Sequence, residues 1–271
     1  MKMENVDGNE KKEVVVEKVV EDVVKTSKDN LWPIEELPSK FLVYPEGTKF
    51  FGRPLKVLEI KMLSTLDESN ANHVINSIIK KSITIQGMSH DDLLISDKLY
   101  LIFWLRANTY KDSGYKVGFS CSECEQESTY TFSLNDLEVK YLENYDKAST
   151  LTLKNKKSVL AFKFQRMREE QEVNSFLKKN KANPLMDVDD DLLNQCSLID
   201  TIDGEVKTLK EKYEFIVELE PEDYVILTQE LEKRDIGIVP IINVVCDKCG
   251  GTAQAGVSFR GDFFLPQYVS E

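Results

Sequence analysis

Histidine is nearly missing from this sequence, with two in 271 residues, His73 and His90. The commonest general base is therefore scarce, and neither histidine stands in a His-Glu-x-x-His metalloprotease motif or beside a nucleophile elbow. No glycine-rich, phosphate-cradling loop is present. Long apolar runs are lacking as well, since nothing approaches the roughly 18 to 20 consecutive apolar residues that a membrane-spanning helix needs. The opening residues, MKMENVDGNEKK, carry no secretory apolar stretch, so a soluble chain that stays in the cytosol where it is made is expected. Positive charge is in deficit, 35 basic against 47 acidic residues, for a formal net charge of -12. Sequence-independent binding to a phosphate backbone depends on clustered Lys and Arg. This balance disfavours nucleic acid and favours a protein or small-molecule partner. Cysteines number five, too few for a disulfide scaffold in a chain of this length.

What is present is enough apolar content, 41%, to build a sizeable core in one large or two modest domains. Residues 1–30 combine Lys and Glu with a valine stripe (VVVEKVVEDVVK). Valine is a mediocre helix former and short isolated helices are marginal in water, which predicts a disordered tail or a helix that forms on docking to a partner. From 37 to 60 (LPSKFLVYPEGTKFFGRPLKVLEI) prolines and glycines punctuate short extended runs. These predict a β-hairpin with a turn at Pro45-Glu46-Gly47-Thr48. Leu58, Met62 and Leu66 then recur at helical spacing, and Val74, Ile75, Ile78 and Ile79 mark a second helix over 72–81. The run 99–105 (LYLIFWL) is apolar all round and must be buried; Ser96 and Asp97 ahead of it are capping residues that favour a helix.

Tyr115, Val117 and Phe119 alternate as a strand does, and Tyr130, Phe132 and Leu134 resume the alternation. Between 166 and 235 the composition turns to Glu, Lys, Leu and Gln, predicting helices near 166–179, 189–200, 207–219 and 221–234. Pro221, Glu222 and Asp223 suit the first turn of the last one. Asn183-Pro184 and the acidic run 187–191 read as linkers. Residues 236–245 are extended again, and Val257 and Phe259 alternate after the second cysteine pair.

Those pairs, Cys121-Ser-Glu-Cys124 and Cys246-Asp-Lys-Cys249-Gly250, each sit between strand-like segments. Two β-hairpins whose tips supply two thiolates each make a zinc ribbon, because Zn²⁺ in closed structural sites takes four tetrahedral ligands. The 121 intervening residues exceed the usual gap of about 15 to 20, so an insertion must separate the hairpins. Loop closure costs grow only logarithmically with length, which makes such an insertion tolerable. Neither pair lies at a strand-to-helix junction, and no His or Arg stands nearby to lower a thiol pKa, so redox chemistry is the weaker reading. Cys196 is expected to be a small core residue of a helix. Asp91, Asp92 and the run 187–191 could hold Mg²⁺ or act as paired carboxylates, but caps and solvated loops account for them more simply. Trp104, Arg106 and Tyr110 could stack on a nucleotide base, but core packing with Arg106 at its edge is the simpler account in so acidic a chain.

Taken together and in order, Leu37-Pro38-Ser39, Val43-Tyr44-Pro45-Glu46-Gly47-Thr48, Arg53-Pro54-Leu55, LYLIFWLRANTY from 99 to 110 and the segment 115–124 resemble the T4-like baseplate hub proteins of bacteriophages. The second cysteine pair and the closing Phe263-Phe264-x-Pro266 fit as well. The first pair departs from the usual Cys-Pro-x-Cys-Gly knuckle at Ser122 and Glu125. The resemblance implies a late viral protein that remains in the hub of a contractile-tail baseplate or assists its assembly. Its partners would be other hub and tail proteins, its place the virion tail and, during assembly, the host cytoplasm. The expected fold is α+β: a core over 31–164 and 236–271 that carries a four-cysteine zinc ribbon with structural Zn²⁺ on Cys121, Cys124, Cys246 and Cys249, a helical insertion at 165–235, and a tail at 1–30. No catalytic residue and no organic cofactor site is assigned. A zinc ribbon associated with nucleic acid or transcription and a Cys-x-x-Cys redox enzyme are the alternatives.

Overall fold

The computed structural model describes residues 31–67, 70–110, 114–146, 149–180, 188–257 and 261–265. The expected tail at 1–30, the linker at 183–184, Asp187, Phe259 and Pro266 lie outside the described residues. The first sheet runs in the order β1 (Trp32–Ile34), β2 (Lys49–Gly52), β3 (Ile83–Gln86). β2 and β3 are antiparallel, with Phe50 opposite Ile85 and Gly52 opposite Ile83. Gly52 has to be glycine, because a Cβ there would come within 2.5 Å of the Trp104 ring.

The segment expected as a hairpin over 37–60 is built differently. Residues 37–44 form consecutive turns, with Lys40 N–H donating to the Leu37 carbonyl and Tyr44 N–H to that of Phe41. The turn at Pro45 is as expected, Thr48 N–H reaching the Pro45 carbonyl at 3.2 Å. Only β2 is extended beyond it, and helix α1 (Val57–Leu63) follows. Its buried residues are Glu59 and Leu63; of the apolar residues at helical spacing, Met62 and Leu66 pack partly buried against the core, whereas Leu58 is 59% exposed. The cause is Arg53. Its guanidinium forks onto Glu59 at 2.9 and 2.6 Å and also donates to the Lys81 carbonyl, turning a charged side chain of α1 inward.

Helix α2 (Ala71–Ser82) buries Ile78 and Ile79, and α3 (Ile95–Tyr110) passes through the middle of the core, burying Leu101, Ile102, Phe103 and Leu105. Asp97, in the first turn of α3, is fully buried. Its carboxylate accepts from Ser39 N–H at 3.0 Å and from the Tyr44 hydroxyl at 2.5 Å, and that hydroxyl accepts from Leu94 N–H. Burial pushes both the Asp97 carboxyl and the Tyr44 phenol above their ordinary values.

Two hairpins follow in this half of the molecule. The first pairs β4 (Tyr115–Ser120) with β5 (Glu127–Phe132) in the register Tyr115 to Phe132. The short β6 (Val139–Lys140) pairs with the distant β11 (Gly237–Ile238), and the second hairpin joins β12 (Ile241–Val245) to β13 (Thr252–Gly256). Between β6 and β11 lies a second sheet, ordered β10 (Glu205–Val206), β9 (Ile199–Ile202), β8 (Val159–Phe162), β7 (Thr150–Thr152). With it come α4 (Met167–Asn180), α5 (Asp190–Leu198), α6 (Leu209–Val217) and α7 (Pro221–Glu232), close to the four expected helices. β9 and β10 fall within this region as an unexpected hairpin closed by Asp203-Gly204, both at positive φ, 53° and 80°. An Asp-Gly pair in a two-residue turn supplies the twist that antiparallel strands need.

The buried apolar residues form two clusters. One joins the first sheet, α1 to α3 and the hairpins; the other is built from residues of the second sheet and α4 to α7. Lys98 on α3, 5% exposed, pairs with Glu170 on α4 at 2.5 and 2.6 Å and so connects the elements that carry them. In the second cluster the Asp223 carboxylate accepts from the backbone N–H groups of Lys154, Asn155 and Lys156. Burial would raise its pKa, but the three amide donors outweigh it and hold the carboxyl below the usual range.

Two outcomes follow from these buried charges. Arg53→Ala leaves Glu59 buried without its partner and should cost about 3–5 kcal/mol, whereas Arg53→Met with Glu59→Leu should cost far less. A double-mutant cycle on urea midpoints checks this. The depressed Asp223 carboxyl contributes stability that is present above the unfolded pKa and lost as pH falls through the folded one. Asp223→Asn should therefore lower stability at pH near 7 and flatten the acid limb of the melting temperature below pH about 4.

Candidate metal centre

The turns that end β4 and β12 have the same backbone construction. In the first, Glu125 N–H donates to the Cys121 carbonyl at 2.9 Å and Cys121 N–H to the Gln126 carbonyl at 3.0 Å. In the second, Gly250 N–H donates to the Cys246 carbonyl and Cys246 N–H to that of Gly251, both at 2.8 Å. The residue after the second cysteine takes positive φ in each, 56° at Glu125 and 75° at Gly250. Ser122 and Glu125 thus leave the knuckle geometry intact, but Glu125 adopts a conformation that only glycine takes without strain.

With β4 packed beside β13, the hairpin tips meet. The Sγ atoms of Cys121, Cys124, Cys246 and Cys249 all lie within 4.8 Å of one another. The contacts of Cys121 with Cys249, at 3.6 Å, and of Cys124 with Cys246, at 3.8 Å, cross from one hairpin to the other. A tetrahedron with metal–sulfur bonds of about 2.3 Å has sulfur–sulfur edges of about 3.8 Å, whereas a disulfide needs about 2.05 Å. The spacing therefore fits four thiolates around one ion and fits no covalent pair. Cys121 and Cys246 are buried, and Cys249 is exposed.

Backbone amides tune the sulfurs. The N–H groups of Cys249 and Lys248 aim at Cys246 and lower its thiol to about 7. At Cys249 the Gly251 N–H pulls the same way, but the neighbouring sulfurs of Cys124, Cys121 and Cys246 outweigh it and push the thiol up to about 12. Four thiols this close cannot all ionise against one another, and a divalent cation between them reverses that balance. The four-cysteine cluster could hold a metal ion. With four protein ligands no coordination position is left open for a substrate, so an ion held there would cross-link the hairpins.

The other candidate groups are dispersed. His73 is exposed on α2, and His90 Nε2 lies 2.8 Å from the Ile83 carbonyl. Lys80 pairs with Asp91 at 2.8 Å, holding that carboxyl below its ordinary value, and Asp92 faces Arg166 and Arg168. Asp189 caps α5 through Leu192 N–H. Cys196 is fully buried in the second cluster, and burial pushes its thiol up to about 12. Arg106 lies deeper than the core edge expected of it. It is 1% exposed, donates to the Phe263 carbonyl at 2.5 Å and stacks on the rings of Tyr110, Tyr115 and Phe263. Tyr110 donates to the Phe264 carbonyl at 2.7 Å. This constellation fastens Phe263 and Phe264 to α3 and offers no platform to a base. Its signal in the sequence was the pair of adjacent phenylalanines at 263 and 264.

The model of the T4 bacteriophage base plate protein family matches residues 44–264. The chain belongs to that family. No curated protein and no solved structure matches it. As a base plate protein it has its place in the virion tail, among other baseplate proteins, and the family is a structural one. No helix among the described residues of this baseplate protein is long and apolar enough to cross a membrane.

The two knuckles make a paired prediction. Gly250→Ala places a side chain at positive φ and should cost about 1–2 kcal/mol. Glu125→Gly should gain up to about 1 kcal/mol, offset in part by unfolded-chain entropy. Thermal unfolding of both variants beside the parent tests the shared geometry, and equal effects of the same sign would contradict it.

Proposed function

We propose that this baseplate protein serves in building the central hub of the contractile tail, as a structural or assembly component and not as a catalyst, with Zn²⁺ bound by Cys121, Cys124, Cys246 and Cys249. The observation that carries this reading is how its distinctive polar residues are used. Ser39, Tyr44, Arg53 and Arg106, all within the motifs that resemble hub proteins, make internal bonds to Asp97, Glu59 and Phe263. Such residues fix the shape of a part; they do not converge on a substrate. The sulfur spacing supports zinc in the cross-linking role, and the 165–235 segment, packed with Leu153, Leu160 and Phe162 around one apolar cluster, acts as an inserted module.

Zinc analysis of the purified chain should find about one ion per molecule, and Ser at any one of the four positions should release it. Chelation should make four thiols reactive while Cys196 stays protected until global unfolding. A metal-free protein with unchanged thiol reactivity would reject the site. For the hub role, a phage lacking this protein should make heads and tail parts but no completed hubs, and mass spectrometry of purified particles separates a resident part from an assembly factor. Substituting His73, His90, Asp91 and Asp92 should leave complementation intact, whereas losing the zinc should abolish it. Normal infectious particles in the protein's absence would overturn the assignment.

A further inference from the structure

A cleft of about 920 Å³ opens between α2 and α4, with Asp190 of α5 at its rim. Its lining reverses the balance of the whole chain. Lys80, Lys81 and Lys178 face it together with His73, against the single carboxylate of Asp190 among the described residues, in a protein of net charge -12. Lys80 is engaged by Asp91, but among the described residues neither Lys81 nor Lys178 forms an ion pair. Among the described residues Leu177 is the one apolar residue of the lining, and no aromatic ring joins it. The floor is set by Asn76, 9% exposed, whose amide is held between Lys98 at 3.1 Å and Glu170 at 3.3 Å. That buried ion pair joins α3 to α4, and Asn76 of α2 bonds to both its members, so the cleft has a preorganised base.

We infer that this cleft is a docking groove for an acidic segment of a partner protein. Charge selects the sign of the partner, since the unpaired lysines at the rim attract carboxylates. The amides select its class. Asn72, Gln171 and Asn174 each offer an acceptor as well as donors. A peptide backbone, which carries both N–H and C=O, satisfies them, whereas a phosphate diester only accepts. A nucleic-acid strand would also ask for aromatic stacking surfaces, and the described residues of the lining include none. An apolar helix would find only Leu177 to bury against among the described residues. A groove of this volume lies within the range that encloses a few side chains, about 300–1,000 Å³. This inference does not depend on the zinc or hub readings.

The test uses the full chain, loaded with zinc, and a fluorescein-labelled peptide of about 12 residues alternating Glu and Ser, followed by anisotropy at about 50 and about 300 mM salt. Saturable binding that weakens about ten-fold across that range is expected. Lys81→Glu with Lys178→Glu should abolish it or weaken it by about ten-fold or more, with melting temperature and thiol reactivity unchanged, and Lys81→Arg with Lys178→Arg should retain it. No saturable binding, binding indifferent to charge reversal, or tighter capture of a single-stranded oligonucleotide of equal charge would each overturn the inference. Retention of binding in a Cys→Ser variant would keep this groove distinct from any failure of the metal site.

Discussion

Four sulfurs that belong to residues 121–124 and 246–249 meet only if everything between them brings the chain back to where it started. Closing a flexible loop of 121 residues costs about 4 kcal/mol on the logarithmic estimate, before any contact at the tip is made. The structure meets this condition in stages. The two-residue strands β6 and β11 pair Val139 with Ile238 and Lys140 with Gly237, Val239 N–H adds a bond to the Glu138 carbonyl, and Lys140 forms an ion pair with Asp235. Together they form a neck beneath the second cluster. With the neck closed, only some twenty residues remain to be ordered between it and the cysteines, and the remaining closure cost falls to about 3 kcal/mol. The insertion can then be large without loosening the ribbon.

Helix α3 organises the other half of the problem. It is apolar on nearly every side, so its position is fixed by the few polar groups it carries, and those reach far along the chain. Asp97 near its start holds Ser39 and Tyr44; Lys98 holds Glu170 of α4; Arg106 and Tyr110 near its end hold the carbonyls of Phe263 and Phe264. Buried polar groups of this kind add modest net stability but penalise every arrangement that leaves them unpaired. They specify which segments surround the helix, a choice that apolar packing alone leaves open.

Much of this was legible in the sequence where the signal is local. The uninterrupted apolar run with Ser96 and Asp97 ahead of it identified α3, Pro221 with Glu222 and Asp223 opened α7, and the paired cysteines between alternating strands located the ribbon. The Asp203-Gly204 hairpin was equally local but lay inside a segment whose Glu, Lys and Leu content argued for helix, and composition overrode a turn signal that has its own mechanism. On α1 the apolar spacing holds at Met62 and Leu66 but fails at Leu58, because periodicity treats Glu59 as solvent-facing until its partner Arg53 is known. The β6–β11 neck had no legible signal at all. Two residues are too few to show alternation, and their pairing is decided by what the insertion does between them.

The ribbon and the core share more than a boundary. Tyr115, at the base of the first hairpin, meets Phe263 at 5.4 Å between ring centroids and receives the guanidinium of Arg106 on its face at 5.0 Å. Phe263 also meets Phe103 of α3 edge-on at 5.2 Å. The first hairpin is thereby held at its base by a buried cation and aromatic rings, and an ion on the four sulfurs would hold it at the tip as well. Aromatic contacts of this geometry are each worth about 0.5–1.5 kcal/mol beyond their buried area. A two-stranded hairpin is marginal in isolation, so neither anchor is redundant. An ion at the tip would fix the hairpins to each other, and the base fixes the first of them to α3. A part that must present one unchanging outline to its neighbours in a baseplate needs both, because a ribbon secured only at the base could splay, and one secured only at the tip could swing as a unit.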